Sequence, residues 1–339
     1  MVSLTDPYAD LHQDPRGEDD VRPTALRIIE DEGLVGKMVD KVMLVTGGSS
    51  GLGIETVRAL YATGATVFMQ VRNIPKGQAV RQEILTSIKS DGSINLLEMR
   101  LDSLQSVREG VAALLRQTST LNVLVNNAGV RNTPDGLTED GFETQLAVNH
   151  LAHFLIFQLL RDTLLASSTP AFASRVVNVT SGAQNRAAID FENLNLRGGA
   201  YEPRLAYANS KIANIWMANH VERLYGDRGL HALSVHPGGI LTGLQKEDDE
   251  ATRRRLLADP ELARALKSPA QGAATQVWAA VAKVWEGSGG KYLEDCRVSR
   301  PSEKPSILWG GHGPNTYNEN RELELWKLSN KMVGLGAGE

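Results

Sequence analysis

Tyr207 and Lys211 stand four residues apart in the run Tyr207-Ala208-Asn209-Ser210-Lys211, on a helical pattern that continues to Leu224. That spacing puts both side chains on one helix face, one turn apart. A free phenol, with a pKa of about 10, is a poor base near neutrality. A neighbouring ammonium favours the phenolate and lowers that value, so the pair could pass a proton to or from an oxygen. By itself the pattern is also that of an ordinary surface helix, and its meaning depends on partners.

Partners occur elsewhere in the chain. Asn178-Val179-Thr180-Ser181 closes a β-type run, Asn126-Asn127-Ala128-Gly129 closes another, and Pro237-Gly238-Gly239-Ile240-Leu241-Thr242 follows a third. In an open parallel sheet, residues at such strand ends face the ligand crevice. Ser181 is the candidate hydroxyl donor. Thr180 is its rival, but alternation along the strand sends the Thr180 side chain to the opposite face. Asn149 lies inside a long helical pattern, where it could also cap or satisfy a kink. His150, His153 and His236 form no spaced set with carboxylates, so they read as core or surface histidines and no metal site is expected.

The turn Thr46-Gly47-Gly48-Ser49-Ser50-Gly51-Leu52-Gly53 joins a strand to a helix. Gly47 lets the chain leave the strand sharply. Gly51 and Gly53 allow backbone N–H groups and the helix N-terminus to approach a pyrophosphate, which points to a dinucleotide. The second strand ends in Val71-Arg72 with no acid nearby. An acid there would accept from ribose hydroxyls, whereas a guanidinium pairs with a 2′-phosphate, so NADP(H) is expected over NAD(H). Arg72 could also be a solvated strand end. Asp102, after the third strand, is placed to accept from an adenine amino group or to cap a helix with Ser103.

The elements that must position these groups alternate. β-type runs cover Lys41–Thr46, Ala65–Val71, Ile94–Met99, Leu121–Asn126, Arg175–Thr180 and Leu230–His236, with a last one at Lys291–Leu293. Helix-length patterns lie between them at Leu52–Thr63, Gln78–Lys89, Ser103–Arg116 and Phe142–Ala166. Continuous Val/Leu runs suit strands covered on both faces. The expectation is an α/β fold, one doubly wound parallel sheet (Rossmann fold) over residues 41–339. Residues 1–40 form an N-terminal extension, helical at Thr24–Glu32, that packs on the core or frays.

Taken together, these residues resemble the short-chain dehydrogenase/reductase family from about residue 40 to the C-terminus. The wording of Val71-Arg72-Asn73, Val148-Asn149-His150-Leu151, Ser234-Val235-His236-Pro237-Gly238 and Gly290-Lys291-Tyr292-Leu293 is closest to the retinol dehydrogenase and WW-domain oxidoreductase branch, in the style of fungal members. The resemblance implies seven parallel strands. It implies that Tyr207 transfers the proton, that Ser181 orients the substrate oxygen, and that Lys211 binds the nicotinamide ribose and depresses the Tyr207 pKa. Asn149 would hold a water linking Lys211 to solvent. The cofactor would be held by Thr46, Gly47, Ser49, Ser50, Gly51, Leu52, Gly53, Arg72, Asp102, Asn127, Ala128, Gly129, Tyr207, Lys211, Pro237, Gly238, Ile240 and Thr242. A homodimer through the helices at Phe142–Ala166 and Tyr207–Leu224 is implied as well.

Composition narrows the class. The chain has 339 residues, a formal net charge of -4 and 42% hydrophobic residues, as expected of a globular protein with a sizeable core. Arg253, Arg254 and Arg255 follow Glu247, Asp248, Asp249 and Glu250, a mixture unlike a nucleic-acid footprint. The single cysteine, Cys296, excludes an internal disulfide and reads as a packing residue. Residues 1–20 lack a signal-peptide pattern and no apolar run reaches the ~20 residues of a membrane span, so a cytoplasmic protein is expected. The segments near 182–203 and 243–270 leave strand ends and should wall a substrate cleft, with Leu194, Leu196, Tyr201, Leu241, Leu244 and Leu257 as apolar surface. A small, mid-sized apolar carbonyl or alcohol, lipid-like, retinoid-like or from secondary metabolism, fits this reading. The rivals are an unusual tailoring reaction in a biosynthetic pathway and a non-catalytic NADP(H) sensor. A pure binder has no need of Ser181, Tyr207 and Lys211 together.

Overall fold

The computed structural model describes residues 6–245, 258–306 and 308–336. Eight strands form one sheet in the order β3-β2-β1-β4-β5-β6-β7-β8. They are β1 (Val42–Val45), β2 (Thr66–Val71), β3 (Ser93–Glu98), β4 (Val123–Asn126), β5 (Ser174–Val179), β6 (Leu230–His236), β7 (Lys291–Glu294) and β8 (Arg297–Val298). The first seven pair in parallel, as expected, and β8 returns antiparallel along β7. The turn into β8 is Asp295-Cys296, both with positive φ, 51° and 52°. A two-residue hairpin of that kind is normally announced by Asn-Gly or Asp-Gly, so Asp-Cys carries no such signal.

Strands β1 to β6 send residues into two separate cores. On one side Met43, Val45, Val67, Val125 and Val235 pack with α1 (Ala25–Asp31), α2 (Leu52–Ala62) and the helix Ala274–Val281. On the other, Leu44, Phe68, Leu124 and Val176 meet α4 (Leu104–Leu115), α6 (Ala152–Ser167) and α7 (Pro203–Tyr225). α3 (Ile74–Ser87) covers the β2–β3 edge. Chain order reverses between β1 and β4, so the crevice at their C-terminal ends is where ligands bind in sheets of this type.

The long helix expected from Phe142 is broken. It opens with α5 (Thr144–Leu146), passes through a π-helical turn at Ala147–Leu151 and continues as α6. Glu143 starts it by accepting from the Gln145 and Leu146 amides. α7 begins a turn earlier than the apolar pattern suggested, because Pro203 sits in its first turn and the Glu202 carboxylate caps it.

The described part of the N-terminal extension, residues 6–40, packs on the core. Ala25, Ile28 and Ile29 of α1 are buried, and Arg22, also buried, donates to the carbonyls of Ala265 and Leu266. At the other end of the chain, the helix Glu319–Met332 lies along α6 and α7. Its Trp326 is buried against Phe154, Phe157 and His220. The C-terminal helix therefore covers part of the flank formed by α6 and α7. Among the described residues no helix is long and apolar enough to cross a membrane.

Candidate active site

Tyr207 and Lys211 lie one turn apart on α7, both buried, with the Lys211 Nζ 5.6 Å from the centre of the Tyr207 ring. Lys211 donates to the Val179 carbonyl at 3.1 Å. Burial lowers the Lys211 ammonium to about 8. α7 is fastened to β5 by side chains that sequence patterning cannot assign. Thr180 donates from its hydroxyl to the Lys211 carbonyl at 2.6 Å, and Asn178 donates to the Asn214 carbonyl at 2.9 Å. Thr180 is thereby engaged in holding the helix. Ser181, on the next residue, lines the cleft beside Tyr207 and caps the short 3₁₀ turn Gly182–Arg186 by accepting from Ala183.

The π-turn brings Asn149 to the same place. Its Oδ1 accepts from the Val130 amide at 2.8 Å, and its Nδ2 donates to the Val130 carbonyl and to Ser210 Oγ, each at 2.9 Å. Asn149 is thus both the residue of the helix irregularity and a neighbour of Lys211. A Cβ on Gly129 would stand 3.2 Å from Asn149 Oδ1 and 3.4 Å from Lys211 Nζ, so only glycine leaves this corner open. His153 bridges behind it, Nδ1 on the Asn149 carbonyl and Nε2 on Thr46 Oγ1, both at 2.9 Å. Burial lowers its imidazole to about 4, and the ring is a neutral strut.

The glycine-rich turn has the shape that a pyrophosphate needs. Gly47 and Gly51 have positive φ, 68° and 52°. A Cβ on Gly53 would come within 2.1 Å of the Gly47 carbonyl, so the first turn of α2 can close on the strand end only with glycine there. Gln70, on β2, braces the turn by accepting from the Gly47 amide at 2.7 Å. Ser49 is half-buried and Ser50 exposed at the tip. Thr46 is turned the other way: it is fully buried, and its oxygen accepts from the Asn127 and Ala128 amides. Its hydroxyl staples β1 to the turn after β4 instead of facing a ligand.

Leu52, Asn127, Gly129, Pro237, Gly238, Ile240 and Thr242 join Ser181, Tyr207 and Lys211 around one cleft of about 490 Å³. The Asn127 side chain also donates to the Thr46 carbonyl and accepts from Gln276. Arg72 and Asp102 lie outside this cleft, at the ends of β2 and β3. Arg72 is exposed, with no hydrogen bond or ion pair to another described residue. Asp102 pairs with Arg100 at 3.1 Å, and the cap of α4 is Ser103. Glycines where side chains would clash, an open strand-to-helix turn and a cleft running from it to Tyr207 fit a dinucleotide carrying a nicotinamide. No group of acidic, histidine or cysteine side chains suited to a metal occurs among the described residues.

The apolar walls differ from expectation. Leu241 and Leu244 line the cleft, but Leu194 and Leu196 pack away from it, and the Tyr201 hydroxyl is tied to the Thr133 carbonyl. Leu257, like Arg253–Arg255, lies outside the described residues. The wall is completed by Leu262, Leu266 and Leu308, which no local pattern marks. His236 also lines it and accepts from the Gly182 amide at 3.1 Å.

The chain is similar to known proteins. The chain is 46% identical over 328 residues to the short-chain dehydrogenase/reductase prx1 of Penicillium roqueforti, covering 97% of this chain and 95% of that one. It is 35% identical over 309 residues to mouse retinol dehydrogenase 14, covering 88% of each chain. A crystal structure of an uncharacterized protein from Mycobacterium paratuberculosis superposes with a TM-score of 0.65 at 30% identity, over 88% of this chain and 95% of that one. Residues 41–253 match the family described as short chain dehydrogenase, and the chain belongs to that family of oxidoreductases.

Proposed function

We propose that the protein is an NADP(H)-dependent carbonyl reductase or alcohol dehydrogenase acting on a mid-sized, largely apolar substrate. One observation carries the reading: Ser181, Tyr207 and Lys211 meet in a leucine-walled cleft that reaches Leu52, the first residue of α2 after the glycine-rich turn. The nicotinamide, when bound, supplies or accepts the hydride. The Ser181 hydroxyl donates to the substrate oxygen and fixes its direction. Tyr207 holds the proton that this oxygen gains or loses. The Lys211 ammonium, kept in place by the Val179 carbonyl, stabilises the phenolate. Asn149 keeps Lys211 and Gly129 in register through Val130 and Ser210. Arg72, exposed at the end of β2, is positioned for a 2′-phosphate by charge-assisted hydrogen bonds. We read the protein as acting without a dimer through α6 and α7, since Trp326 and its helix cover that flank.

Following NADPH oxidation against a panel of aldehydes and ketones tests this. Tyr207→Phe should lower kcat by about 10²–10⁴-fold with cofactor binding intact. Full activity in that variant would refute the proton-transfer role. The unmodified protein should bind NADPH more tightly than NADH, and Arg72→Ala should reduce the ratio by about tenfold or more. Equal affinities at the outset would refute the assignment of Arg72.

A further inference from the structure

Among the described residues the charges lining the cleft are of one sign. Arg131, Arg186, Arg204 and Lys211 line it, and no aspartate or glutamate does so among the described residues. This runs against the composition of the chain, in which 40 acidic residues outnumber 36 lysines and arginines. Elsewhere on the surface, arginines are commonly matched: Arg16 and Arg264 with Asp14, Arg100 with Asp102 and Glu139, Arg161 with Asp162. The Arg186 and Arg204 guanidinium groups are exposed and make no hydrogen bond or ion pair with a described residue.

The three arginines line the cleft from three elements. Arg204 precedes Tyr207 by three residues on α7 and so shares its face. Arg186 ends the 3₁₀ turn that begins directly after Ser181. Arg131 lies two residues beyond Gly129, with its Cζ 5.8 Å from the centre of the Tyr207 ring. All belong to the Tyr207 end of the cleft. The cofactor phosphates belong to the glycine-rich turn and Arg72, at the other end. Leu262, Leu266 and Leu308 supply apolar surface to the same cleft.

We propose that the substrate is an amphipathic acid: an apolar body bearing the carbonyl or alcohol, and a carboxylate held by Arg186 and Arg204 at the cleft mouth. Planar guanidinium groups suit a carboxylate because two N–H donors can meet its two oxygens. The anchor fixes how deep the apolar body enters and so which carbon faces Tyr207. This rests on the oxidoreductase reading above and adds the class of molecule.

The test compares an ω-oxo medium-chain fatty acid with its methyl ester, a pair differing by one charge. Binding of each to the complex of the full chain with NADP⁺ is measured by titration calorimetry, with turnover followed separately. The acid should bind about tenfold or more tightly than the ester, and the gap should shrink with added salt. In Arg186→Gln/Arg204→Gln the ratio should fall towards one, and Arg186→Lys/Arg204→Lys should restore part of it. Equal binding of acid and ester, binding of neither, or a ratio that survives in the glutamine variant overturns the proposal. A binding preference without turnover of either compound counts against the oxidoreductase reading alone.

Discussion

At the scale of single residues, the site is built around an uncomfortable lysine. Lys211 is enclosed, and burial brings its ammonium from 10.5 down to about 8. Below pH 8 both folded and unfolded chains carry the proton, so the full desolvation penalty is present. Between pH 8 and 10.5 the unfolded chain binds more protons, and this group's contribution to stability rises with pH. Lys211→Met should therefore remove turnover and, at pH 7, stabilise the cofactor-free protein by on the order of 1–3 kcal/mol. That gain should shrink as the pH is raised from 8 to 10.5. Thermal unfolding across this range checks it, and a less stable variant at pH 7 would contradict it. The Val179 carbonyl keeps a donor in the variant, because Asn214 also reaches it, at 3.3 Å. Tyr207, Lys211 and Ser181 were legible in sequence because helix spacing and strand-end position are local signals. The motif containing Thr46 does not say which way its hydroxyl points, and that side chain turns to the Asn127 and Ala128 amides. His153 and Gln70 were illegible as struts, since a hydrogen bond between Thr46 and His153 spans 107 residues and leaves no local trace.

At the scale of elements, the parallel strands could be read from apolar runs, because all but the edge strand β3 are largely buried on both faces and have no polar alternation to obscure them. What escaped were irregularities. The π-turn at Ala147–Leu151 sits in a sequence with the composition of a plain helix, and the β7–β8 hairpin turns on Asp-Cys. The N-terminal extension was legible as a helix but not as a clamp. Arg22 donates to the carbonyls of Gly17, Ala265 and Leu266 and pairs with Asp20, and Gln271 donates to Asp20 and the Arg22 carbonyl. Leu266 is part of the cleft wall, and the next residue donates its amide to Gly239 in the loop after β6. Arg22→Ala should lower stability by about 2–4 kcal/mol, because buried carbonyls lose their donor. It should also raise KM for the carbonyl substrate more than it lowers kcat. Denaturant unfolding and steady-state kinetics of the variant test this, and an unchanged KM would show that the wall stands without the clamp.

At the scale of the whole molecule, the two cores enclose several neutral imidazoles. Burial lowers His12, His153 and His220 to about 4 and His150 to about 3. Each is below the ordinary value of 6.5, so its contribution to stability is complete above pH 6.5. That contribution is lost as the pH falls towards 4, where the unfolded chain takes up protons that the folded chain refuses. The slope is about 1.4 kcal/mol per pH unit for each histidine. Acidification from pH 6.5 to 5 should lower Tm steeply, as scanning calorimetry would show; a flat profile would mean these rings accept protons in place.

The C-terminal helix changes what the catalytic helix leans on. Arg223 and Asn219 of α7 reach Glu322, Trp216 donates to the Asn315 carbonyl, and Trp326 fills the gap towards α6. The C-terminal helix buttresses α7 along this flank. Any group that packs on α7 beside Trp326 has to share that face with a buried indole.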